Sequence, residues 1–316
     1  MSRTHISTPR QCRTAFLNWR HILMLSLSVA LLLCLPHTYG QDEEDVVRVN
    51  ADLVVLNVTV TDAKGDYVHK IPRSAFRIFE DGREQSITNF GVEETPFAAA
   101  LLLDASGSME GRLTLARGAA INFLDGLRPD DVASVYTFDT KVEQLQDFSP
   151  GRDLPPLAYN VTAKGWTVLN DAILRAAVDL SRRPEKRRAI IVLSDGADTR
   201  SAASADKALH NALAANATIY TIDFSALTSA ITLRQASAGA LKNFANKSGG
   251  RYVASPGGRA MSEAFAAIVK ELRNQYTIGY QPTNNSRDNR WRTIDVKMPA
   301  RPELNARTRR GYRSAK

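Results

Sequence analysis

From Leu53 to Thr61 the apolar residues Val54, Leu56, Val58 and Val60 alternate with Asn57, Thr59 and Thr61. A period of two sends the two sets of side chains to opposite faces, so the pattern predicts a half-buried strand. Lys64-Gly65-Asp66 reads as the turn that follows it. Farther on, Phe76 to Phe79 and Gln85 to Phe90 flank Glu80-Asp81-Gly82-Arg83, and Asp-Gly between two extended runs suits a type I′ hairpin turn. Residues 45 to 93 therefore read as all-β.

At Phe97 the alternation stops. Phe97 to Leu103 is a continuous apolar run, as expected of a parallel strand covered by helices on both faces. Leu113, Ala116, Ala120, Phe123, Leu124 and Leu127 then recur at the spacing of one helix face, closed by Arg128-Pro129. Strands are predicted at Val132 to Phe138, Val142 to Phe148, Ala189 to Ser194, Thr218 to Asp223 and Arg251 to Ala254. Helices are predicted at Asn170 to Ser181, Ser204 to Ala214, Leu241 to Lys247 and Met261 to Arg273. Strands alternating with helices predict a doubly wound, mostly parallel α/β sheet. After it, Tyr276 to Tyr280 is extended, and Arg292, Ile294, Val296 and Met298 alternate with Thr293, Asp295 and Lys297. Neither β flank has enough apolar surface to be stable alone, so both are expected to join in one small β-sandwich into which the α/β unit is inserted. The chain then divides into a leader (1–40), an N-terminal β segment (41–95), the α/β domain (96–273) and a C-terminal β segment (274–316) packing with the first.

Composition changes this picture mainly at the N-terminus. The 316 residues are 44% hydrophobic with 18 Gly and 13 Pro, which suits a globular chain and excludes a disordered or collagenous one. Arg3, Arg10, Arg13 and Arg20 are opposed by no acid and precede the short apolar run Ile22 to Leu35, then Pro36 and Thr38-Tyr39-Gly40. That order is the pattern of a signal peptide, with cleavage expected near Gly40 and a retained anchor as the alternative. Removal would lower the formal charge from +8 to +4 and take away Cys12 and Cys34. The expected product is exported to the periplasm, cell surface or medium, with no further membrane span. Its modest charge and lack of a recognition motif argue against nucleic acid as a partner. The basic C-terminal stretch, including Arg287, Arg292, Arg307, Arg309 and Arg313, reads as a solvated strand face.

Candidate chemistry begins where the apolar run ends, in Asp104-Ala105-Ser106-Gly107-Ser108-Met109. Ligands of open α/β sheets bind at the carboxyl edge, where this segment falls. Gly107 permits a sharp turn, so the Asp104 carboxylate and the Ser106 and Ser108 hydroxyls can converge on one point. Oxygen donors without nitrogen or sulfur favour a hard cation, Mg²⁺ or Mn²⁺. Asp-x-Ser-x-Ser after a buried strand resembles the metal-ion-dependent adhesion site of von Willebrand factor A-type domains. Gly165-Trp166-Thr167, ahead of Asn170-Asp171-Ala172-Ile173, is similar to the loop whose threonine completes that site, although Trp166 stands where a small residue is common. Ile191-Val192-Leu193-Ser194-Asp195-Gly196 resembles the family's fourth strand and its terminal aspartate.

The resemblance covers Phe97 to Arg273 and implies the ligand set Asp104, Ser106, Ser108, Thr167 and Asp195. Val58-Thr59-Val60-Thr61-Asp62, Phe79-Glu80-Asp81-Gly82, Gly279-Tyr280 and Arg310-Gly311-Tyr312 resemble boundary motifs of bacterial exported proteins that carry such a domain between β segments. Asp139 and Asp198 fall on the same edge, and Asp198 reads as a turn or helix-capping residue. The function this implies is non-enzymatic: a bound Mg²⁺ or Mn²⁺ with a coordination position open to an Asp or Glu carboxylate of a protein partner. The alternatives are a structural subunit of a cell-envelope complex and a metal-dependent hydrolase. Against the last, only His69 and His210 follow Gly40, and neither lies near the motif.

Overall fold

In the computed structural model, which describes residues 53–91, 95–195, 198–225, 231–254 and 258–314, the alternating first run forms strand β1 (Val54–Thr61). Val54, Leu56, Val58 and Val60 all turn inward and are buried. The expected signal segment and its cleavage point near Gly40 lie outside the described residues. Strands β2 (Arg77–Glu80) and β3 (Arg83–Gln85) form a hairpin with Glu80 opposite Arg83; Asp81 and Gly82 between them have φ of 48° and 81°. Positive φ at both central residues is what a type I′ turn needs. The second arm is shorter than expected. It breaks at Ser86, and β4 (Ile87–Gly91) continues in a different sheet. Gln85 holds the break in place: its buried side chain accepts the Thr283 N–H at 2.9 Å and donates to the Thr283 hydroxyl at 3.1 Å.

The central unit runs β5 (Phe97–Asp104), α1 (Leu113–Asp125), β6 (Val132–Phe138), β7 (Val142–Ser149), α2 (Leu169–Ser181), β8 (Arg187–Ser194), α3 (Ala205–Ala214), β9 (Ala217–Asp223), α4 (Ile231–Ser248), β10 (Tyr252–Ala254) and α5 (Arg259–Arg273). Its sheet has the order β10-β9-β8-β5-β6-β7 and is parallel except for β7 at one edge. Strand β5 is buried along its whole length because successive side chains enter opposite faces, both covered. Phe97, Ala99, Leu101 and Leu103 share a core with α1 and α5, whereas Ala98, Ala100 and Leu102 share one with α2, α3 and α4. Each leucine so placed contributes about 1.5–3 kcal/mol of burial free energy. Helix α4 starts at Ile231, well before the expected Leu241, because its first turns carry little apolar periodicity and its buried anchors, Leu241, Phe244 and Ala245, lie in its second half.

The flanks interleave strand by strand. With β11 (Gln275–Tyr280), β12 (Trp291–Lys297), β13 (Asn305–Arg307) and β14 (Gly311–Arg313), they make two antiparallel sheets in the orders β13-β1-β11-β4 and β14-β12-β2-β3. Leu56 of β1 lies opposite Ile278 of β11, and a shared core including Val58, Phe76, Ile78, Tyr276 and Ile294 fills the space between the sheets. Each sheet draws strands from both flanks, so neither flank could bury its apolar face alone. The fold is a mostly parallel α/β sheet with flanking antiparallel sheets.

Not all C-terminal arginines form the expected solvated face. Arg292 and Arg309 are buried; Arg309 donates to the Leu213 carbonyl at 2.8 Å and to Asn216 Oδ1 at 3.1 Å, tying the C-terminal segment to the end of α3. Arg187, also buried, donates to the carbonyls of Leu272, Arg273 and Gln275 and so answers acceptors that α5 leaves open at its end. Among the described residues no helix is long and apolar enough to cross a membrane.

Candidate metal centre

From β5 the chain builds outward through β6 and β7, then crosses back to add β8, β9 and β10 on the other side of β5. Connections that leave two adjacent strands in opposite directions open a crevice at their carboxyl ends. Leu103 pairs with Leu193 there, so Asp104 at the end of β5 comes level with Ser194 at the end of β8, and Asp195 follows immediately. This register brings acids ninety-one residues apart to one place without any special loop.

Asp104 is fully buried. Its Oδ1 accepts the Ser106 N–H at 2.8 Å and its Oδ2 accepts the Ser194 hydroxyl. Burial outweighs these bonds and pushes its carboxyl up from 3.8 to about 6, with a further upward contribution from Asp195. The bond to Ser106 folds the chain back on itself, and the Ser106 and Ser108 hydroxyls lie 3.1 Å apart. Ser108 then donates to Asp195 Oδ1 at 2.7 Å, while Arg112 Nη1 donates to Oδ2 of the same carboxylate. Asp104, Ser106, Ser108 and Asp195 are thereby joined in one cluster, which reaches solvent at Ser108.

Thr167 sits on the neighbouring loop and is buried. That loop is stitched to the serine turn by Lys164 N–H to Ala105 O at 2.9 Å and Gly107 N–H to Gly165 O at 3.3 Å. Gly165 is required twice over: its φ is 76°, and a Cβ there would lie 2.3 Å from Thr140 Oγ1. Thr167 itself is held through its backbone, its N–H donating to Thr199 Oγ1 at 2.9 Å and its carbonyl accepting the Thr199 and Arg200 N–H groups at 2.9 and 3.2 Å. Among the described residues its hydroxyl bonds none of the other four predicted ligands. Trp166 beside it is 54% exposed, with the Arg200 guanidinium 5.7 Å from its ring centre.

Asp198 and Asp139 serve the surrounding loops. Asp198 accepts the Asn170 N–H at 2.8 Å at the start of α2 and binds Ser201, and Asp139 accepts the Lys141 N–H at 3.1 Å within its own turn. Two residues of the centre escaped the sequence reading. Ser194 could have been found from its place one step beyond the Leu103 and Leu193 pairing, had the register been known. Arg112 left no signal in the pattern, because only the turn at Gly111 aims it back at Asp195.

The donor set is entirely carboxylate and hydroxyl oxygen, the chemistry a hard divalent cation takes, and a cationic group already stands against Asp195. The residues present fit such an ion.

Residues 99–197, which contain all five predicted ligands, match the family model described as the von Willebrand factor type A domain. That stretch of the chain is a von Willebrand factor type A domain. No curated protein matches it. Solved structures similar to it include a D319A mutant of the PilB minor pilin from Streptococcus sanguinis, at 15% identity and a TM-score of 0.46, covering 57% of this chain and 62% of the pilin. The von Willebrand domain of the type V pili tip protein Mfa5 from Porphyromonas gingivalis is similar at 14% identity and a TM-score of 0.47, covering 56% of this chain and 95% of that one. A von Willebrand factor type A protein from Catenulispora acidiphila is similar at 14% identity and a TM-score of 0.46, covering 70% of this chain and 50% of that one. The chain thus spans less than two thirds of the length of the pilin it resembles.

Proposed function

We propose that this protein is an exported binding protein that holds Mg²⁺ or Mn²⁺ through Asp104, Ser106, Ser108, Thr167 and Asp195 and thereby takes an Asp or Glu carboxylate of a protein partner. The observation that carries this reading is the convergence of two buried carboxylates and two hydroxyls at the mouth of the sheet crevice. When bound, the cation would supply a coordination position for an oxygen from outside. Asp104 and Asp195 are the charged donors, and the hydroxyls are neutral, so the set leaves a divalent ion poor in charge and ligands and ready for a further carboxylate. The serine turn places Ser108 at the surface, where a partner can approach. Export rests on the arginine-rich start and the short apolar run after it. Hydrolysis is less well supported, since the cluster contains no histidine or cysteine and each carboxylate is already engaged by its own donors, Asp104 by Ser106 and Ser194 and Asp195 by Ser108 and Arg112.

Titration calorimetry with Mg²⁺ and Mn²⁺ tests the metal half. The wild type should bind with a dissociation constant on the order of 10⁻⁴ to 10⁻³ M, and Asp104→Ala should show no heat; equal binding by both would remove Asp104 from the site. The partner half is tested by pull-down from the native envelope with and without chelator. A partner that stays bound through chelation and through Asp104→Ala would exclude the carboxylate-on-cation mode and leave the domain as an assembly part.

A further inference from the structure

The guanidinium of Arg112 stands against Asp195, one of the two carboxylates assigned to the cation. The approach is built into the fold. A short helical turn, Gly107–Met109, carries the chain out of the serine loop, and Gly111 reverses it at φ 78°. A Cβ on Gly111 would meet nothing within 4 Å, so glycine is needed there for its backbone conformation and not for space. The Arg112 N–H donates to the Met109 carbonyl at 2.9 Å and its own carbonyl accepts the Ala116 N–H at 3.0 Å, which fixes the root of the side chain at the entrance of α1. Its side chain is 17% exposed, against 1% for that of Asp195. Both oxygens of Asp195 are therefore engaged, Oδ1 by the Ser108 hydroxyl and Oδ2 by the guanidinium.

A buried carboxylate needs neutralising, and Arg112 provides this for Asp195. A divalent ion at the same oxygens would stand beside a second positive group, and the two cations would repel each other in surroundings that screen poorly. Resting on the metal reading above, we infer that Arg112 is a built-in counter-cation: it occupies the metal's place at Asp195 in the ion-free protein and is displaced when Mg²⁺ or Mn²⁺ enters. Loading the site is then an exchange of one positive group for another. The ion-free domain stays stable, and the affinity for metal is held down by the group it must expel. The Arg112 side chain, unlike that of Asp195, already reaches water in part.

The test is Mn²⁺ titration and thermal unfolding of full-length wild type, Arg112→Gln, Arg112→Lys and Asp104→Ala, each in chelator and in Mn²⁺. Two ligands excluding each other with ordinary coupling free energies should give Arg112→Gln a Mn²⁺ affinity about tenfold or more above wild type. The same variant should melt lower than wild type in chelator and recover more on Mn²⁺ addition, while Arg112→Lys, which keeps the charge, should remain near wild type. Affinity in Arg112→Gln equal to or weaker than wild type would mean that Arg112 only props Asp195, and would overturn the inference. Absence of Mn²⁺ binding in wild type and Arg112→Gln alike would sink the metal reading itself, and this inference with it. Should Arg112→Gln fail to fold, the wild type still decides: Mg²⁺ should increase phenylglyoxal modification of Arg112, read by mass spectrometry, and unchanged modification at a Mg²⁺ concentration that saturates the site would overturn the exchange.

Discussion

Glu271 and Asp195 are both buried acids, 0% and 5% exposed, yet their surroundings are balanced in opposite directions. Glu271, near the end of α5, is a single carboxylate facing two guanidiniums, Arg307 at 2.6 Å and Arg251 at 3.3 Å, and it accepts the Tyr220 phenol at 2.9 Å and the Thr59 hydroxyl at 3.4 Å. Thr59 and Arg307 come from the sandwich, whereas Tyr220 and Arg251 belong to the central unit, so this cluster fastens the two parts together. Its surplus positive charge is tolerable because the Arg251 and Arg307 side chains keep 43% and 34% of their exposure. At the crevice the balance is reversed: Asp104 and Asp195 are two acids among neutral hydroxyls, with Arg112 as the paired cation. Burial alone does not distinguish a structural acid from a binding one. A cluster with enough cations of its own fastens the fold, and one short of positive charge can take a cation from solution.

Glu271→Gln is the most drastic way to break this comparison. It should lower the unfolding free energy by about 3–5 kcal/mol in denaturant titration, because the buried carboxylate is the shared acceptor of both guanidiniums and of the Tyr220 phenol, and all of these contacts weaken together. Tyr220→Phe removes one donor to the same carboxylate and should cost about 1.5–3 kcal/mol, the range for a hydrogen bond to a charged group. Burial holds the Tyr220 phenol well above its usual value, so it is a donor throughout the working pH range. The crevice should respond in the opposite sense, since its deficit is relieved by addition. Mg²⁺ at ten times its dissociation constant should stabilise the wild type by about 1.4 kcal/mol and leave Asp104→Ala unchanged; an equal shift in both would show that the ion acts elsewhere.

The smallest effect is expected at Asp288, an acid near the surface whose carboxyl is lowered to about 2 by the Ser314 hydroxyl, the Arg290 N–H and Arg292. A depressed value means that its contribution is complete above the ordinary carboxylate range and disappears as pH falls towards 2. The stability gap between wild type and Asp288→Asn should therefore close on acidification across that window, and a gap constant from pH 5 to 2 would contradict the assignment.

Much of the scaffold was legible because its patterns are local. The alternation of Val54 to Val60 and of Arg292 to Met298, the unbroken run of β5 and the Asp81-Gly82 turn each predict an element from a few neighbouring residues. Less was legible where local pattern and partner conflict. Gln85 to Phe90 reads as one strand, yet Gln85 binds Thr283 and the chain changes sheets after it. Arg292 sits in the inward phase of its strand, and its burial depends on Asp288, to which it donates at 2.9 Å. Arg307 and Arg309 read as solvated charges because Glu271 and the end of α3 are far away in sequence.

At the crevice the division has a definite physical cause. The sequence alone supplied the oxygen donors, since Asp104, Ser106 and Ser108 belong to a single turn whose spacing is set by the backbone, and it placed Asp195 at the end of another buried strand. Tertiary structure alone decided that β5 and β8 are neighbours in a register that brings those ends level, with Ser194 against Asp104. It also decided that the Gly111 turn delivers Arg112 to Asp195. Which cation answers a buried acid depends on distances through space, and a one-dimensional pattern encodes them only where the chain itself makes the turn.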